Sequence, residues 1–201
     1  MKLYFAPGAC SMAPHIALRE AGVPVDLVKV DTKNKTYEGG DYRQINGKGY
    51  VPTIELDDKT RVTEVAVILQ YIADSAPQTR LAPASGTMER VRLQEWLNFI
   101  SSEIHKQFSP LFDATASDEI KIRQRDKLAG RFDWLVQQLA GKDFLTGSNF
   151  TIADAYLFTV LNWGQWTNVD LGKWPLLSQY MARVAARPKV QEAMKAEKLI
   201  K

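Results

Sequence analysis

The segment KLYFAPGACSM, residues 2–12, decides how the N-terminal half of the chain folds. Residues 2–5 favour a short strand, and Pro7-Gly8 then interrupts regular structure. A helix is predicted over residues 11–20, ending at Gly22. The only cysteine of the chain, Cys10, therefore stands between a strand end and a helix start.

Short strands and helices alternate through the rest of this half. Residues 26–30 are rich in β-formers, and residues 51–56 and 61–63 predict a hairpin around a polar turn. Apolar residues at i, i+3, i+4 and i+7, from Val65 to Ile72, predict an amphipathic helix. This order predicts a small α/β unit with a mixed sheet.

The second half has a helical period throughout. One apolar stripe runs from Leu93 to Phe108 and another from Leu128 to Leu139. Thr151 and Asp154 have the spacing of a capping box, which marks a helix start. We therefore predict an α/β domain over residues 1–78, a linker over 79–86 and an all-α domain over 87–201.

Composition and charge exclude several classes of protein. With 26 basic and 23 acidic side chains the net charge is only +3, and no dense basic stripe indicates a nucleic-acid partner. No stretch approaches the roughly 18–20 apolar residues that span a bilayer. The single cysteine excludes an intrachain disulfide, so we expect a cytoplasmic protein. Neither a metal-ligand spacing nor a Gly-rich nucleotide-binding loop occurs.

Four places in the sequence could carry chemistry. A helix N-terminus lowers the pKa of a nearby thiol, so Cys10 is either a reactive thiol or a small buried residue. Ser11 could donate to a bound anion or cap the helix. Val51-Pro52 precedes a strand and would leave its backbone free for a ligand. Glu64-Val65 opens a helix whose first N–H groups could bind a carboxylate.

After Cys10 with Ser11, Val51-Pro52 and Glu64-Val65, the fourth place that could carry chemistry is a polar stripe on the first long helix of the second half. Asn98, Ser102, His105 and Ser109 fall within about 60° at the α-helical period. Such a stripe faces either water or a cleft or subunit seam.

Taken together, these motifs resemble the glutathione S-transferase family over essentially the whole chain, and its bacterial beta class in particular. The likeness is carried by residues 7–11 (PGACS), 50–52 (YVP), 63–64 (TE), 95–98 (EWLN), 103–106 (EIHK) and 150–158 (FTIADAYLF). The resemblance implies a thioredoxin-like N-terminal domain with a four-stranded mixed sheet, an all-α C-terminal domain and a homodimer. Glutathione would bind near the domain seam as co-substrate, without a metal.

The resemblance also implies a role for each matching residue. Cys10 would lie at the glutathione sulfur, with Ser11 and His105 as further catalytic candidates. The tripeptide would be held by Lys35, Val51, a cis Pro52, Glu64 and Val65. Asn98, Ser102 and Glu103 would act along the dimer seam. Aromatic side chains would form an apolar electrophile pocket, for which the candidates are Phe5, Phe108, Phe112 and Trp163.

Two positions depart from the family pattern. Val65 stands where the family often has Ser or Gly, so that only a backbone contact remains. Gly47 follows Asn46 where a proline is usual, which should loosen the loop.

Three functions stay open at this stage. The first is conjugation of glutathione to hydrophobic electrophiles, as in detoxification. The second is thiol–disulfide or peroxide chemistry through Cys10, and the third is a non-catalytic glutathione-transferase-like binding module.

Overall fold

A six-stranded mixed sheet organises the N-terminal part of the chain, and the computed structural model describes all 201 residues. Contacts divide the chain into unit 1, Met1–Ala82 with Arg187–Lys201, and unit 2, Pro83–Ala186. The strands of unit 1 are β1 (Lys2–Phe5), β2 (Asp26–Asp31), β3 (Thr36–Tyr37), β4 (Gly40–Asp41), β5 (Thr53–Glu55) and β6 (Arg61–Thr63).

The sheet has the order β4-β3-β2-β1-β5-β6. Strand β1 pairs parallel with β2 and antiparallel with β5, while β5 pairs antiparallel with β6. These four strands are the mixed sheet that the sequence predicts. Strands β3 and β4, of two residues each, add an antiparallel extension that the polar stretch before Tyr50 did not reveal.

Three helices belong to unit 1: α1 (Met12–Ala21), α2 (Val65–Ser75) and α9 (Pro188–Ala196). Helix α1 ends at Gly22, whose φ of 66° is left-handed and is readily adopted by glycine. Helix α9 packs on α1, and Arg187 forms a bidentate ion pair with Glu20 at 2.7 and 2.8 Å. Residues 187–201 therefore group with the sheet, although they lie within the predicted helical domain. The sequence boundaries 1–78 and 87–201 remain a prediction.

Unit 2 is all-helical, as predicted. It contains α3 (Met88–Phe99), α4 (Lys106–Phe112), α5 (Asp118–Leu139), α6 (Ile152–Leu161), α7 (Gly164–Thr167) and α8 (Pro175–Ala185). Every residue of α6 is buried, so this helix forms the centre of the unit. Helix α6 begins where the sequence predicts, and the Asp154 carboxylate reaches back to the Thr151 N–H at 2.8 Å.

A π-helical turn, Ile100–His105, joins α3 to α4. The π-helix has wider turns than the α-helix and is frequent at functional sites. The α-helical spacing assumed for Asn98, Ser102 and His105 is therefore wrong across these residues. None of the helices is long and apolar enough to cross a membrane.

Candidate functional site

Three segments of unit 1 meet at one end of strands β1, β5 and β6, and this end of the strands is the edge of the sheet meant below. Tyr4 on β1 pairs with Thr53 at the start of β5, and Thr53 pairs with Thr63 at the end of β6. The loop 6–11 after β1, the residues 51–52 before β5 and the residues 64–65 that open α2 therefore share this edge. We call these three segments the thiol edge, because Cys10 lies in the first of them.

The thiol of Cys10 lies against the second segment. Its side chain is half-buried, and Sγ donates a hydrogen bond to the Val51 carbonyl at 3.2 Å. The Cys10 carbonyl accepts the N–H of Ala13, so the cysteine leads directly into α1. Cys10 thus combines a helix N-terminus with partial exposure, which are the two conditions that favour a reactive thiolate.

Ser11 does not cap helix α1 with its side chain, and its hydroxyl forms hydrogen bonds within the loop 6–11. The side chain is fully buried, its hydroxyl accepts the Ala6 N–H at 3.1 Å and donates to the Ala6 carbonyl at 3.2 Å. It forms no capping bond to α1. These bonds close the loop 6–11 on itself, so the geometry supports a structural role that fixes the position of Cys10.

The second segment contains a cis peptide bond between Val51 and Pro52. The Val51 carbonyl faces Cys10, and the Val51 N–H has no acceptor in the chain. A backbone N–H without a partner in the chain is suited to pair with the backbone of a peptide ligand.

Buried hydrogen bonds fix the chain just before Val51. Tyr42 Oη donates to the Tyr50 carbonyl at 3.0 Å and lies 2.8 Å from Thr53 Oγ1, while the Asn46 amide donates to the same carbonyl at 2.7 Å. Burial raises the pKa of the Tyr42 hydroxyl, which therefore stays protonated as a donor. The hydrogen bond of the Asn46 side chain to Tyr50 holds the loop that contains Gly47, although glycine at this position is expected to loosen it.

The third segment presents backbone donors. Glu64, with a φ of 71°, precedes α2, and its carbonyl accepts the N–H groups of Val67 and Ile68. The N–H groups of Val65 and Ala66 then have no acceptor within the helix. The Glu64 side chain is 67% exposed and forms an ion pair with Lys48. A carboxylate and free N–H groups thus lie side by side, which suits a ligand that carries both an ammonium and a carboxylate.

Lys35 approaches the thiol edge from the turn before β3. Its φ of 59° is left-handed, and Nζ donates to the Gly49 carbonyl at 3.0 Å. The same ammonium stands 5.5 Å from the centre of the Tyr50 ring. Gly49 and Tyr50 directly precede Val51, so a positive charge lies next to the free backbone of the second segment.

One contributor to this region could not be recognised in the sequence. Glu197, just after α9, accepts the Gly8 N–H with Oε2 at 2.9 Å, and its Oε1 lies 2.9 Å from His15 Nδ1. The Glu197 and His15 side chains are fully buried, and Arg19 donates from Nε to His15 Nε2 at 3.3 Å. The C-terminal segment thereby holds the loop that carries Cys10.

In unit 2, His105 is placed by two aromatic residues. Its Nδ1 lies 2.7 Å from Tyr156 Oη, and its ring meets the Trp163 ring nearly edge-on at 4.9 Å between centroids. Tyr156 is buried on α6 and Trp163 lies two residues after that helix, while His105 itself is half-buried. The sequence singled out His105 and Trp163 but gave no sign of Tyr156.

Three of the four candidate pocket residues form a cluster with His105. Phe108 and Phe112 both contact Trp163 edge-to-face, at 5.7 and 5.6 Å between centroids. Phe108 is fully buried and Phe112 is 51% exposed, so the cluster reaches the surface of unit 2. The fourth candidate, Phe5, belongs to unit 1, where its ring packs 6.3 Å from His15.

The remaining candidates lie on the α3 and π-turn surface of unit 2. Asn98 and Ser102 are exposed, and Ser102 Oγ donates to the Asn98 carbonyl at 3.0 Å. Glu103 is half-buried and accepts two hydrogen bonds from the Arg131 guanidinium at 2.9 and 2.7 Å. No group of three or more His, Cys, Asp or Glu side chains is arranged to hold a metal ion.

The comparisons with known proteins agree with this architecture of an α/β unit and a helical unit. The models "Glutathione S-transferase, N-terminal domain" and "Glutathione S-transferase, C-terminal domain" match residues 8–75 and 99–188. The glutathione S-transferase GstA of Escherichia coli O157:H7 is 44% identical over 99% of this chain and 100% of its own length. The chain belongs to the glutathione S-transferase family.

Solved structures narrow the class. A bacterial beta class glutathione S-transferase of Sphingomonas chungbukensis is 45% identical, with a TM-score of 0.96 over 100% of both chains. A sphingomonad glutathione S-transferase complexed with glutathione is 43% identical, with a TM-score of 0.95 over 100% of both chains. The predicted family, its bacterial beta class and the thioredoxin-like plus helical fold are confirmed.

Proposed function

We propose that the protein conjugates reduced glutathione to hydrophobic electrophiles and that glutathione lies along the thiol edge. The observation that carries this proposal is the juxtaposition of the Cys10 thiol, the unpaired Val51 N–H and the open start of α2. A solved relative has glutathione bound, and the sheet edge offers a partner for each part of that tripeptide.

The charges of glutathione match this edge. The γ-glutamyl ammonium pairs with the Glu64 carboxylate, and the adjacent carboxylate accepts the Val65 N–H. The cysteinyl backbone pairs with Val51 in the manner of an added strand, because Val51 has a free N–H and a carbonyl lone pair. The glycyl carboxylate forms an ion pair with the Lys35 ammonium. Lys35 Nζ then donates to a charged acceptor instead of the neutral Gly49 carbonyl.

The reaction requires an ionised glutathione sulfur. The thiolate attacks the electrophilic carbon, a carbon–sulfur bond forms as the carbon–halogen bond of an aryl halide breaks, and the thiol proton passes to solvent. Each unit by which the site lowers the pKa of this thiol is worth about 1.4 kcal/mol. The donors proposed for the sulfur are the Cys10 thiol, the start of α1 and His105, whose role is carried over from the family resemblance.

The electrophile contacts the aromatic side chains. Phe108, Phe112 and Trp163 form an apolar surface next to His105 in unit 2, and Phe5 of unit 1 is the fourth candidate that the family resemblance suggests. Such a surface binds aryl or alkyl electrophiles by burial of apolar area.

A second candidate activity is thiol transfer through Cys10. The partial exposure of its Sγ favours it, because an attacking thiolate needs access to its target. The Cys10 thiolate would attack the glutathione sulfur of a mixed disulfide between glutathione and another thiol, form a disulfide with that glutathione and release the other thiolate. A glutathione thiolate would then attack the Cys10 disulfide, restore the Cys10 thiolate and leave as oxidised glutathione.

We further propose that the protein acts as a homodimer through the α3–α5 surface of unit 2. Trp96, Phe99 and Trp134 form an aromatic cluster there, with tilted or edge-on rings and centroids 4.7 to 6.0 Å apart, and Trp134 is 40% exposed. Exposed aromatic clusters of this kind mark protein interfaces. Asn98, Ser102 and Glu103 would then approach the glutathione of the neighbouring subunit. Sedimentation should give twice the mass of the chain, and Trp134→Glu should reduce it.

Two assays together test the proposed function. Conjugation of glutathione to a chlorodinitrobenzene should show saturable turnover, and calorimetry should show glutathione binding. Glu64→Gln should weaken binding about tenfold through loss of a charge-assisted contact, whereas Glu38→Gln, at an exposed position of unit 1, should not. Absence of both turnover and binding would overturn the proposal in favour of a non-catalytic binding module.

A further inference from the structure

Both histidines of the chain have Nδ1 within hydrogen-bonding distance of an oxygen, but the two oxygens differ in chemistry. His15 Nδ1 lies 2.9 Å from the Glu197 carboxylate, and His105 Nδ1 lies 2.7 Å from the Tyr156 hydroxyl. A carboxylate only accepts, whereas a phenol can also donate. The hydrogen bond at one ring nitrogen determines whether the other carries the proton.

For His15 the neighbours select one tautomer. Arg19 Nε can only donate, and it points at His15 Nε2, which must therefore accept. The proton of the neutral ring then lies on Nδ1, where the Glu197 carboxylate accepts it.

For His105 the same reasoning gives the opposite tautomer. A phenol is a far stronger acid than a neutral imidazole N–H, and an imidazole nitrogen is a better acceptor than a phenol oxygen. The short Tyr156 contact is therefore formed with the hydroxyl donating and Nδ1 accepting. The proton of the neutral ring lies on Nε2.

Packing restricts rotation of the Tyr156 and His105 rings. Tyr156 is 1% exposed, in the fully buried helix α6. The Tyr156 and Trp163 rings meet the His105 ring at interplanar angles of 88° and 68°. A flip of the imidazole would exchange Nδ1 for a carbon and break the bond to Tyr156.

We infer that Tyr156 is a positioning residue that holds His105 in the Nε2–H tautomer. The proton of neutral His105 is then fixed at Nε2, so this nitrogen is a donor and not an acceptor. The inference rests on the proposed function only in counting His105 among the residues that affect conjugation.

Nitrogen-15 NMR reads the two tautomers directly. The chain contains only two imidazoles, so a long-range proton–nitrogen correlation spectrum, recorded well above the pH at which imidazoles titrate, is simple to assign. The unsubstituted protein should show His15 as the Nδ1–H form and His105 as the Nε2–H form. In Tyr156→Phe the His105 signals should move away from the positions of a pure Nε2–H form, while those of His15 stay in place.

Tyr180→Phe is the matched control. Tyr180 is also buried in unit 2, but its hydroxyl donates to Asp154, so its removal should leave the His105 signals unchanged. In steady-state conjugation Tyr156→Phe should lower kcat about fivefold to tenfold, the worth of one hydrogen bond, with little change in KM for glutathione.

Two results would overturn the inference: an Nδ1–H form of His105 in the unsubstituted protein, or an unchanged Nε2–H form in Tyr156→Phe. Failure of the proposed function gives a different pattern. In that case the tautomers and their response to Tyr156→Phe would be as stated, but the unsubstituted protein would neither bind glutathione nor conjugate it.

Discussion

Glu197 bonds His15 across 182 residues of sequence, with its Oε1 2.9 Å from His15 Nδ1, and its second oxygen accepts the Gly8 N–H. A residue near the C-terminus thereby fixes both the first helix and the loop before Cys10. The pair is fully buried, so removal of the carboxylate would leave His15 Nδ1 without its acceptor in the interior.

Glu197→Ala should therefore lower the free energy of unfolding by about 3 kcal/mol in urea titrations, because His15 and the Gly8 N–H lose their acceptor. Glu192→Ala is the control, since Glu192 pairs with Lys189 on the exposed face of the same helix and should change stability by no more than about 0.5 kcal/mol. Equal stability of the two variants would contradict the structural role of Glu197.

Asp154 should be equally important for unit 2. Its buried carboxylate accepts the N–H groups of Leu145 and Thr151 and the hydroxyls of Thr151 and Tyr180. Asp154→Ala should cost about 3 kcal/mol or more, because it removes a cap and leaves buried donors unpaired. Ser117→Ala, which removes an exposed cap from α5, should cost only about 1 kcal/mol. Similar losses of stability in the two variants would contradict the role of Asp154 in this network.

The decrease in the free energy of unfolding at low pH should depend on Glu55. Burial on β5 raises the pKa of this carboxyl. The hydrogen bond and charge of Arg61, together with the charges of Lys59 and Lys2, lower the pKa by more than burial raises it, so the pKa of Glu55 in the folded protein is lowered. A lowered folded-state pKa contributes stability above the unfolded value of about 4.5 that is lost as the pH falls through the folded value.

Glu55→Gln should therefore unfold with a weaker pH dependence than the unsubstituted protein below about pH 4.5. Chemical denaturation at a series of pH values measures this, with Glu38→Gln as the control for removal of one exposed carboxylate. If the free energy of unfolding of Glu55→Gln fell with pH as steeply as that of the unsubstituted protein, the pairing of Glu55 with Arg61 would not lower the pKa of Glu55.

Cys10→Ser separates the two candidate activities. Conjugation forms no bond to Cys10, so it should survive within about tenfold, the worth of one hydrogen bond. Thiol transfer through a mixed disulfide should vanish, since serine cannot form one. Activity assays and intact mass spectra before and after reductant measure both. Thiol transfer that persists in Cys10→Ser would exclude Cys10 as its nucleophile.

Gly47→Ala tests the loop before Val51. A Cβ at this position meets no atom within 4 Å, and the backbone is not left-handed. The substitution should raise the free energy of unfolding by about 0.4–1 kcal/mol by restricting the unfolded chain. Destabilisation would mean that the loop needs the freedom of glycine. Gly49→Ala, at a φ of 67°, is the contrasting variant and should destabilise.

The sequence predicts those parts of the site whose signals are local. Strand β1, the Cys10 turn and the end of α1 at Gly22 all lie within about twenty residues and follow from β-propensity, Pro7-Gly8 and helix period. The start of α6 follows from Thr151 and Asp154 in the same way.

What the sequence does not reveal depends on contacts between distant residues. Nothing near Glu197 indicates that it binds His15 and Gly8, and Tyr156 looks like any buried aromatic until His105 is found beside it. The π-turn also escapes, because apolar residues at 97, 100, 104 and 108 fit an α-helix equally well. Ser11 is misread for the opposite reason: its local signal is that of a cap, but the loop turns its hydroxyl onto Ala6.

The proposal that the thiol edge binds glutathione is tested most directly by a crystal structure of the protein grown with the reduced tripeptide. We expect the cysteinyl backbone paired with Val51, the γ-glutamyl carboxylate on the Val65 N–H and the sulfur within contact distance of Cys10 Sγ. Glutathione bound elsewhere on the molecule, or an empty edge at saturating concentration, would contradict the account.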